Sequence, residues 1–297
     1  MAVSGDRGLV IVTGAGGHIG REVCRLLKAT DRDVLAVDVD SGAAKDLVVC
    51  DLRAKDQVSS LFRGRPVRTV IHLAAILPSA FLRDPFAGVD VNLVGCFELL
   101  RQAVTAGVKR FVFASSMSVY GALRSESPVT EENPAVPDDP YGASKRVVEV
   151  VGEELARARQ IEFVSLRIAR VVGPGIKKSS SPWRSEIFER SGGLEAIRIS
   201  FPPDARLSLV HAEDVGRMLV RLAEAQQARH TIYNTPAEIW EAERLKDLIE
   251  KATGVRVELD GAGVHGGPIC DGARFAEEFG FQIRGLRERL LIREASN

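Results

Sequence analysis

The chain has 297 residues, 45% of them apolar, and its 40 basic and 40 acidic side chains leave no formal net charge. With no surplus of Lys and Arg to displace phosphate counterions it is not a non-specific nucleic-acid binder, and with that apolar fraction it is not a disordered chain. No run of about 18 apolar residues occurs and the first eight residues carry no apolar signal core, so a soluble, cytoplasmic protein with no membrane partner is expected.

Short aliphatic or β-branched runs at 8–13, 34–38, 67–73, 110–115 and 161–167 are too short for helices and too uniformly apolar for half-exposed strands. They predict buried parallel strands. Helical periodicity over 19–29, 89–106 and 141–159 supplies the crossovers that parallel pairing needs. The fold class is therefore α/β, with a doubly wound parallel sheet. From about residue 172 the regular alternation gives way to loops rich in Gly, Pro and Ser at 173–185, 191–193 and 201–204. The expected division is a dinucleotide-binding domain with the catalytic residues at 1–171 and a smaller substrate-binding region at 172–297, with some crossover to the sheet. Cys24, Cys50, Cys96 and Cys270 form no Cys-x-x-Cys pair and are read as reduced packing residues, with no metal site indicated. Arg25, Lys28, Lys109 and Arg110 are read as solvated positions, and Trp183 and Trp240 as packing anchors.

The first motif with chemistry in it is Val10-Ile-Val-Thr-Gly-Ala-Gly-Gly-His-Ile-Gly20, a strand entering a glycine turn and then a helix. Gly14 permits a tight turn, Gly17 removes a side chain that would block a pyrophosphate, and Gly20 lets the helix pack on the strand. Free N–H groups at the helix start attract an anion. Twenty-four residues after Gly14 the second strand ends at Asp38, whose carboxylate suits two ribose hydroxyls and repels a 2′-phosphate, favouring NAD over NADP. These features predict a Rossmann sheet. Asp51 and Leu52 follow a third short strand, where they face an adenine or, in the plainer reading, cap the next helix.

Farther on, a buried strand delivers Ser115, Ser116 and Ser118 to the carboxyl edge of the sheet, where open α/β sheets bind ligands. Then comes Tyr141-Gly-Ala-Ser-Lys145, opened by Pro140 as a helix starter. Tyr and Lys at i and i+4 share a helix face, so the ammonium stands near the phenol. A phenol is a poor base near neutrality, but an adjacent cation and an oxidised nicotinamide both favour the phenolate.

Together these residues resemble an extended short-chain dehydrogenase/reductase of the nucleotide-sugar epimerase/dehydratase family. The likeness runs through Thr13-Gly-x-x-Gly-x-x-Gly20, Asp38, Asp51-Leu52, His72-Leu-Ala-Ala75, Val91-Asn92 with Gly95, Ser115-Ser-x-x-Val-Tyr-Gly121, Pro140-Tyr-Gly-x-Ser-Lys145 and Leu166-Arg167 with Gly173-Pro174, and fades beyond residue 225. It implies Tyr141 as the acid/base, Lys145 as its activator and ribose ligand, and Ser116 as the hydroxyl that holds the substrate oxygen. It also implies that His18, Ile19, the stretch His72, Leu73, Ala74 and Ala75, Asn92 and Ser115 border the NAD, Asn92 as an organiser, and that Ser79, Ser116, Arg170 and Arg206 meet the substrate. Two departures matter. The acidic residues that dehydratases carry after the catalytic hydroxyl are here Met117 and Ser118, which argues against dehydration. The Asn that nucleotide-sugar enzymes place after the Leu-Arg strand is here Arg170.

The expected activity is reversible oxidation of a secondary alcohol on a sugar-like, anionic small molecule, foremost by a nucleotide-sugar or related sugar epimerase. The alternatives are an NAD-dependent dehydrogenase of a sugar acid or a hydroxy or amino acid and, more distantly, a non-catalytic NAD sensor. Homodimerisation through 89–106 and 141–159 is a further implication of the resemblance.

Overall fold

The computed structural model describes residues 8–41, 46–121, 127–175, 181–188, 195–261 and 265–291. The loop expected at 191–193 and the middle of the one at 173–185 lie outside them. Six strands, β1 (Leu9–Thr13), β2 (Val34–Asp38), β3 (Val48–Val49), β4 (Val67–His72), β5 (Arg110–Ser116) and β6 (Glu162–Ile168), pair in parallel in the order β6-β5-β4-β1-β2-β3. Next come β7 (Arg170–Val172), β8 (Ile197–Ile199) and β9 (Arg206–His211), after which β10 (Ile232–Asn234) returns to the large sheet beside β6. The antiparallel partner of β9 is β11 (Glu238–Glu241), its parallel partner is β7, and β12 (Val257–Leu259) pairs with β8.

Helices α1 (His18–Ala29) and α8 (Ala212–Glu224) cover one face of the large sheet. Helices α2 (Lys55–Ser60), α5 (Cys96–Thr105) and α6 (Pro140–Arg157) cover the other, while α3 (Pro78–Arg83) and α4 (Pro85–Val89) lead into α5. Both faces are buried, so the strands are apolar without alternation: Ile11 and Val12, Val70 and Ile71, and Phe111 and Val112 are all fully shielded. Each such side chain contributes about 1.5–3 kcal/mol. Gly152 of α6 lies on the Phe163 ring, where a methyl would collide, so α6 sits close against the sheet.

A third core, with Trp183, Ile187, Leu207, Leu245 and Ile249 in it, belongs to the C-terminal lobe with α7 (Trp183–Glu186), α9 (Ala242–Thr253) and α11 (Leu286–Leu291), while α10 (Ala273–Phe279) packs by β10. Trp183 is thus an anchor, placed on a short helix where the sequence suggests a loop.

Two expectations are corrected. The helix expected over 89–106 is interrupted by a π-helical turn, Asp90–Gly95, between α4 and α5. There Asn92 turns inward to the backbone of Ile76, and Gly95 abuts Leu52, an arrangement that periodicity alone does not show. Arg110 is not solvated. Its buried guanidinium pairs with Glu162 and donates to the carbonyls of Leu222, Ala223 and Ala225 at the end of α8, whose final acceptors would otherwise lack partners.

Strand order reverses between β4 and β1, and the carboxyl ends of β1, β2, β4, β5 and β6 converge there. That crevice is where open α/β sheets bind ligands.

Candidate active site

The glycine loop is shaped for a phosphate. Gly14 has φ +68°, and a Cβ on it would lie 2.7 Å from the Ala74 nitrogen, so both turn and strand contact require glycine. Gly17 caps α1 with no side chain in the way. Gly20 presses the helix onto Gly14 and Ala15, as its place in the motif suggests. Asp38 ends β2 against this loop, its Oδ2 accepting from the Gly16 N–H at 2.9 Å and its Oδ1 from the Val39 N–H at 2.8 Å. The Nε2 of His18 is buried without a partner, and its pKa is lowered by burial and by Arg21.

Across the crevice, the Thr13 hydroxyl and His72 Nδ1 are 2.7 Å apart, and the backbone of Leu73 bonds to Thr13 O, which places Leu73, Ala74 and Ala75 against Gly14. Burial and the Lys145 charge push His72 down to about 3, so it is a neutral ring near pH 7. Asn92 clasps Ile76 through both amide atoms, at 2.8 and 3.0 Å, and fixes the segment after β4.

The catalytic candidates meet at the end of β5. Asp139 caps α6 through the Gly142 N–H at 2.9 Å, Pro140 opens the helix, and Tyr141 follows, buried. The Ser116 hydroxyl, 3.2 Å from Ser118 Oγ, lies beside the Tyr141 phenol and acts to lower its pKa. One turn on, Lys145 donates to Ala114 O at 2.8 Å and stands 4.7 Å from the centre of the Phe113 ring and 5.6 Å from that of Tyr141.

Burial pushes Tyr141 up to about 12, Ser116 working against that rise, and pushes Lys145 down to about 8 against the pull of Cys96 and Glu149. The expectation that the neighbouring lysine favours the phenolate is therefore not met by these groups alone: desolvation outweighs it. A cationic nicotinamide beside the ring would supply the missing charge. The glycine cradle, the free lone pairs of Asp38 and this demand for positive charge fit a dinucleotide. Residues that could hold it are Gly14, Gly17, Ile19, Gly20, Asp38, Leu73, Ala74, Ala75 and Lys145.

Other candidates turn elsewhere. Ser115 donates to Glu149 at 2.6 Å inside the protein, so its side chain faces the core. Asp51 accepts from the forked guanidinium of Arg53, at 2.6 Å in the shortest bond, which lowers its pKa; it does not cap the next helix, whose N-cap is Ala54. Leu52 is buried against Gly95. Ser79 is half-buried in the first turn of α3. Arg206 is exposed at the start of β9, three residues before Leu209, which pairs with Arg170. Arg170 lies in β7, next to the crevice.

Glu149 is the functional neighbour that motif reading overlooks. It is fully buried and holds Arg167 through two bonds of 2.9 Å, while Arg167 continues to the Tyr120 hydroxyl and Asn234. Its signal was a carboxylate four residues after Lys145 on a helix face otherwise turned to the core. The buried thiols of Cys50 and Cys96 are raised to about 11 and about 12 by burial, in keeping with packing roles.

The profile of the NAD dependent epimerase/dehydratase family matches residues 10–235. A UDP-glucose 4-epimerase of Streptococcus mutans is 34% identical over 174 residues, 55% of this chain and 52% of that protein, and one of Azospirillum brasilense is 33% identical over 175 residues, 55% and 49%. The chain thus matches about half the length of these curated relatives. A solved structure of MoeE5 in complex with UDP-glucose and NAD is 26% identical, with a TM-score of 0.81 over 98% of this chain and 100% of that one. An L-threonine dehydrogenase of Clostridium difficile superposes with a TM-score of 0.85 over 96% of both chains, at 18% identity, a likeness of fold. With the glycine turn, Asp38, Ser116, Tyr141 and Lys145 all inside the matched stretch, the chain belongs to the NAD dependent epimerase/dehydratase family.

Proposed function

We propose that this chain is an NAD-dependent epimerase of the extended short-chain dehydrogenase/reductase type, acting on a nucleotide sugar or related sugar. The observation that carries this is the buried Tyr141 at the start of α6, next to Ser116 and with the Lys145 ammonium 5.6 Å from its ring one helical turn away, at the sheet edge beside the glycine loop. The likeness to UDP-glucose 4-epimerases and to MoeE5 supports a sugar nucleotide as substrate. NAD, when bound, accepts a hydride from the carbinol carbon and returns it.

Residues 1–171 hold the cofactor and the reacting groups, and residues 172–297 form most of the substrate wall. Tyr141 takes the hydroxyl proton as the carbon loses its hydride, and gives it back on the return. Ser116 donates to the substrate oxygen as charge develops on it. Lys145, a desolvated cation one helical turn from Tyr141, reaches toward the ribose. Neutral His72 behind them adds no competing charge. Met117 and Ser118 offer no second acid, so the proton inventory suits oxidation and reduction without elimination.

Asp38 selects NAD by accepting from its ribose hydroxyls. Apolar side chains exposed on neighbouring elements, Phe86, Val89 and Val94 before α5 and Val147, Val150 and Val151 on α6, support a homodimer formed across these helices. The reaction test is to incubate the purified protein with UDP-glucose or UDP-galactose and NAD. Interconversion of the two without net NADH supports the epimerase, whereas stoichiometric NADH with no interconversion overturns it in favour of a dehydrogenase.

A further inference from the structure

Arg170 is a buried guanidinium with no carboxylate beside it among the described residues. One N–H donates to Gly266 O at 3.0 Å, the group lies over the Phe201 ring at 4.7 Å, and Nε is buried with no partner. Burial and the like charge of Arg184 lower the Arg170 pKa to about 10. Three other buried guanidinium groups are neutralised: Arg167 by Glu149, Arg110 by Glu162, and Arg289 by Glu213 and Asp214. An uncompensated buried cation is costly, and a hydrogen-bonding anion is what relieves that cost.

Its place in the fold says where such an anion sits. β6 pairs Ser116 with Ile168, and Arg170 follows two residues later. At about 3.3–3.6 Å per residue and about 4.8 Å between strands, its Cα stands within roughly 12 Å of that of Ser116. A hydroxyl held by Ser116 and a group held by Arg170 can therefore belong to one small ligand. Stacking on Phe201 fixes the plane of the guanidinium, and the unused Nε–H belongs to the fork that binds two oxygens of one anion. The residue is also this chain's departure from the neutral Asn that nucleotide-sugar enzymes resembling it carry here.

We infer that Arg170 is a specificity determinant that holds an oxyanion of the substrate whose hydroxyl Ser116 holds, either the carboxylate of a hexuronate or a phosphate of a sugar nucleotide. The inference rests on the sugar-oxidising reading of the site. It demands that substrates bear this anion and that neutral sugars bind weakly.

The test is calorimetric titration of NAD-loaded wild type, R170Q and R170K with glucuronate, UDP-glucose and glucose. Wild type should bind at least one of the two anions far better than glucose, and which one identifies the source of the oxyanion. R170Q should weaken that ligand by roughly 10- to 100-fold, the worth of a charge-assisted pair, with R170K intermediate and NAD affinity unchanged. Equal affinity of wild type and R170Q for the anions overturns the inference. So does binding of neither anion to wild type, or a loss that falls equally on glucose and NAD. If R170Q does not fold, R170K decides, because keeping the charge without the fork should still cost several-fold, and no change overturns the idea. Binding is read without turnover, so anion binding that depends on Arg170 in a protein that exchanges no epimers would defeat the reaction proposed above and leave this assignment standing.

Discussion

Tyr141 shows how far a single side chain depends on its surroundings. Buried, with Ser116 only partly offsetting the effect of burial, it is pushed up to about 12, far from a useful base near pH 7. The chemistry therefore relies on positive charge brought to the ring, and Tyr141→Phe should lower kcat by about 10²- to 10⁴-fold. Stopped-flow kinetics with a parallel NAD titration checks this, and the NAD affinity should stay near that of wild type. Asp38→Ala removes a charge-assisted acceptor and the repulsion of a 2′-phosphate. The ratio of NAD to NADP affinity should fall by roughly 10- to 100-fold in fluorescence titrations.

His72 yields a pH prediction whose sign follows from its burial. Its folded pKa is about 3 against an ordinary 6.5, so between these values the unfolded chain takes up a proton that the folded one refuses. Its contribution is complete above pH 6.5 and is lost as pH falls toward 3. Urea melts between pH 6 and 4 should show His72→Gln depending less on pH than wild type by up to about one proton.

Helix α6 works as a unit. Tyr141, Lys145 and Glu149 repeat every four residues on the face toward β5 and β6, so one helix delivers the acid/base, its cation and the carboxylate that neutralises Arg167. Glu149→Gln strands a buried arginine and should cost about 3–5 kcal/mol in denaturant melts. Adding Arg167→Met removes the orphaned charge and should recover part of that loss. Helix α6 is legible in the sequence, because Pro140 as a helix starter and the helical periodicity over 141–159 agree. The segment at 89–106 was harder. Its periodicity is helical throughout, yet Asn92 satisfies a backbone segment from another strand end, and that tertiary demand opens the π turn.

At the scale of the molecule, the exposed valines of α6 and the apolar residues leading into α5 form the surface proposed for a second copy. Val150 is 49% exposed and Val147 45%. A charge placed there by Val150→Glu should convert a dimer to a monomer in sedimentation while the monomer keeps its NAD affinity. A monomeric wild type would remove the dimer from the account.

Parallel strands, the glycine turn, Asp38, Ser116, Tyr141 and Lys145 were all legible in the sequence, since each depends on local spacing: a turn that needs glycine, a helix face at i and i+4, a strand run too apolar to be exposed. Ser115 and Ser116, or Arg167 and Arg170, look alike in a sequence, and only the tertiary structure decided between them. Ser115 is bonded to Glu149 inside the core, whereas Ser116, the last residue of β5, lies at the sheet edge beside Tyr141. Arg167 meets its carboxylate from a helix 18 residues earlier, and Arg170, carried by β7 into the C-terminal lobe, meets Phe201 and Gly266 and, among the described residues, no carboxylate. The sequence by itself determined what chemistry the sheet edge carries, because that chemistry is written in short-range spacing. Which polar groups are consumed by the core and which remain for a ligand depends on partners far along the chain, and only the folded arrangement brings those together.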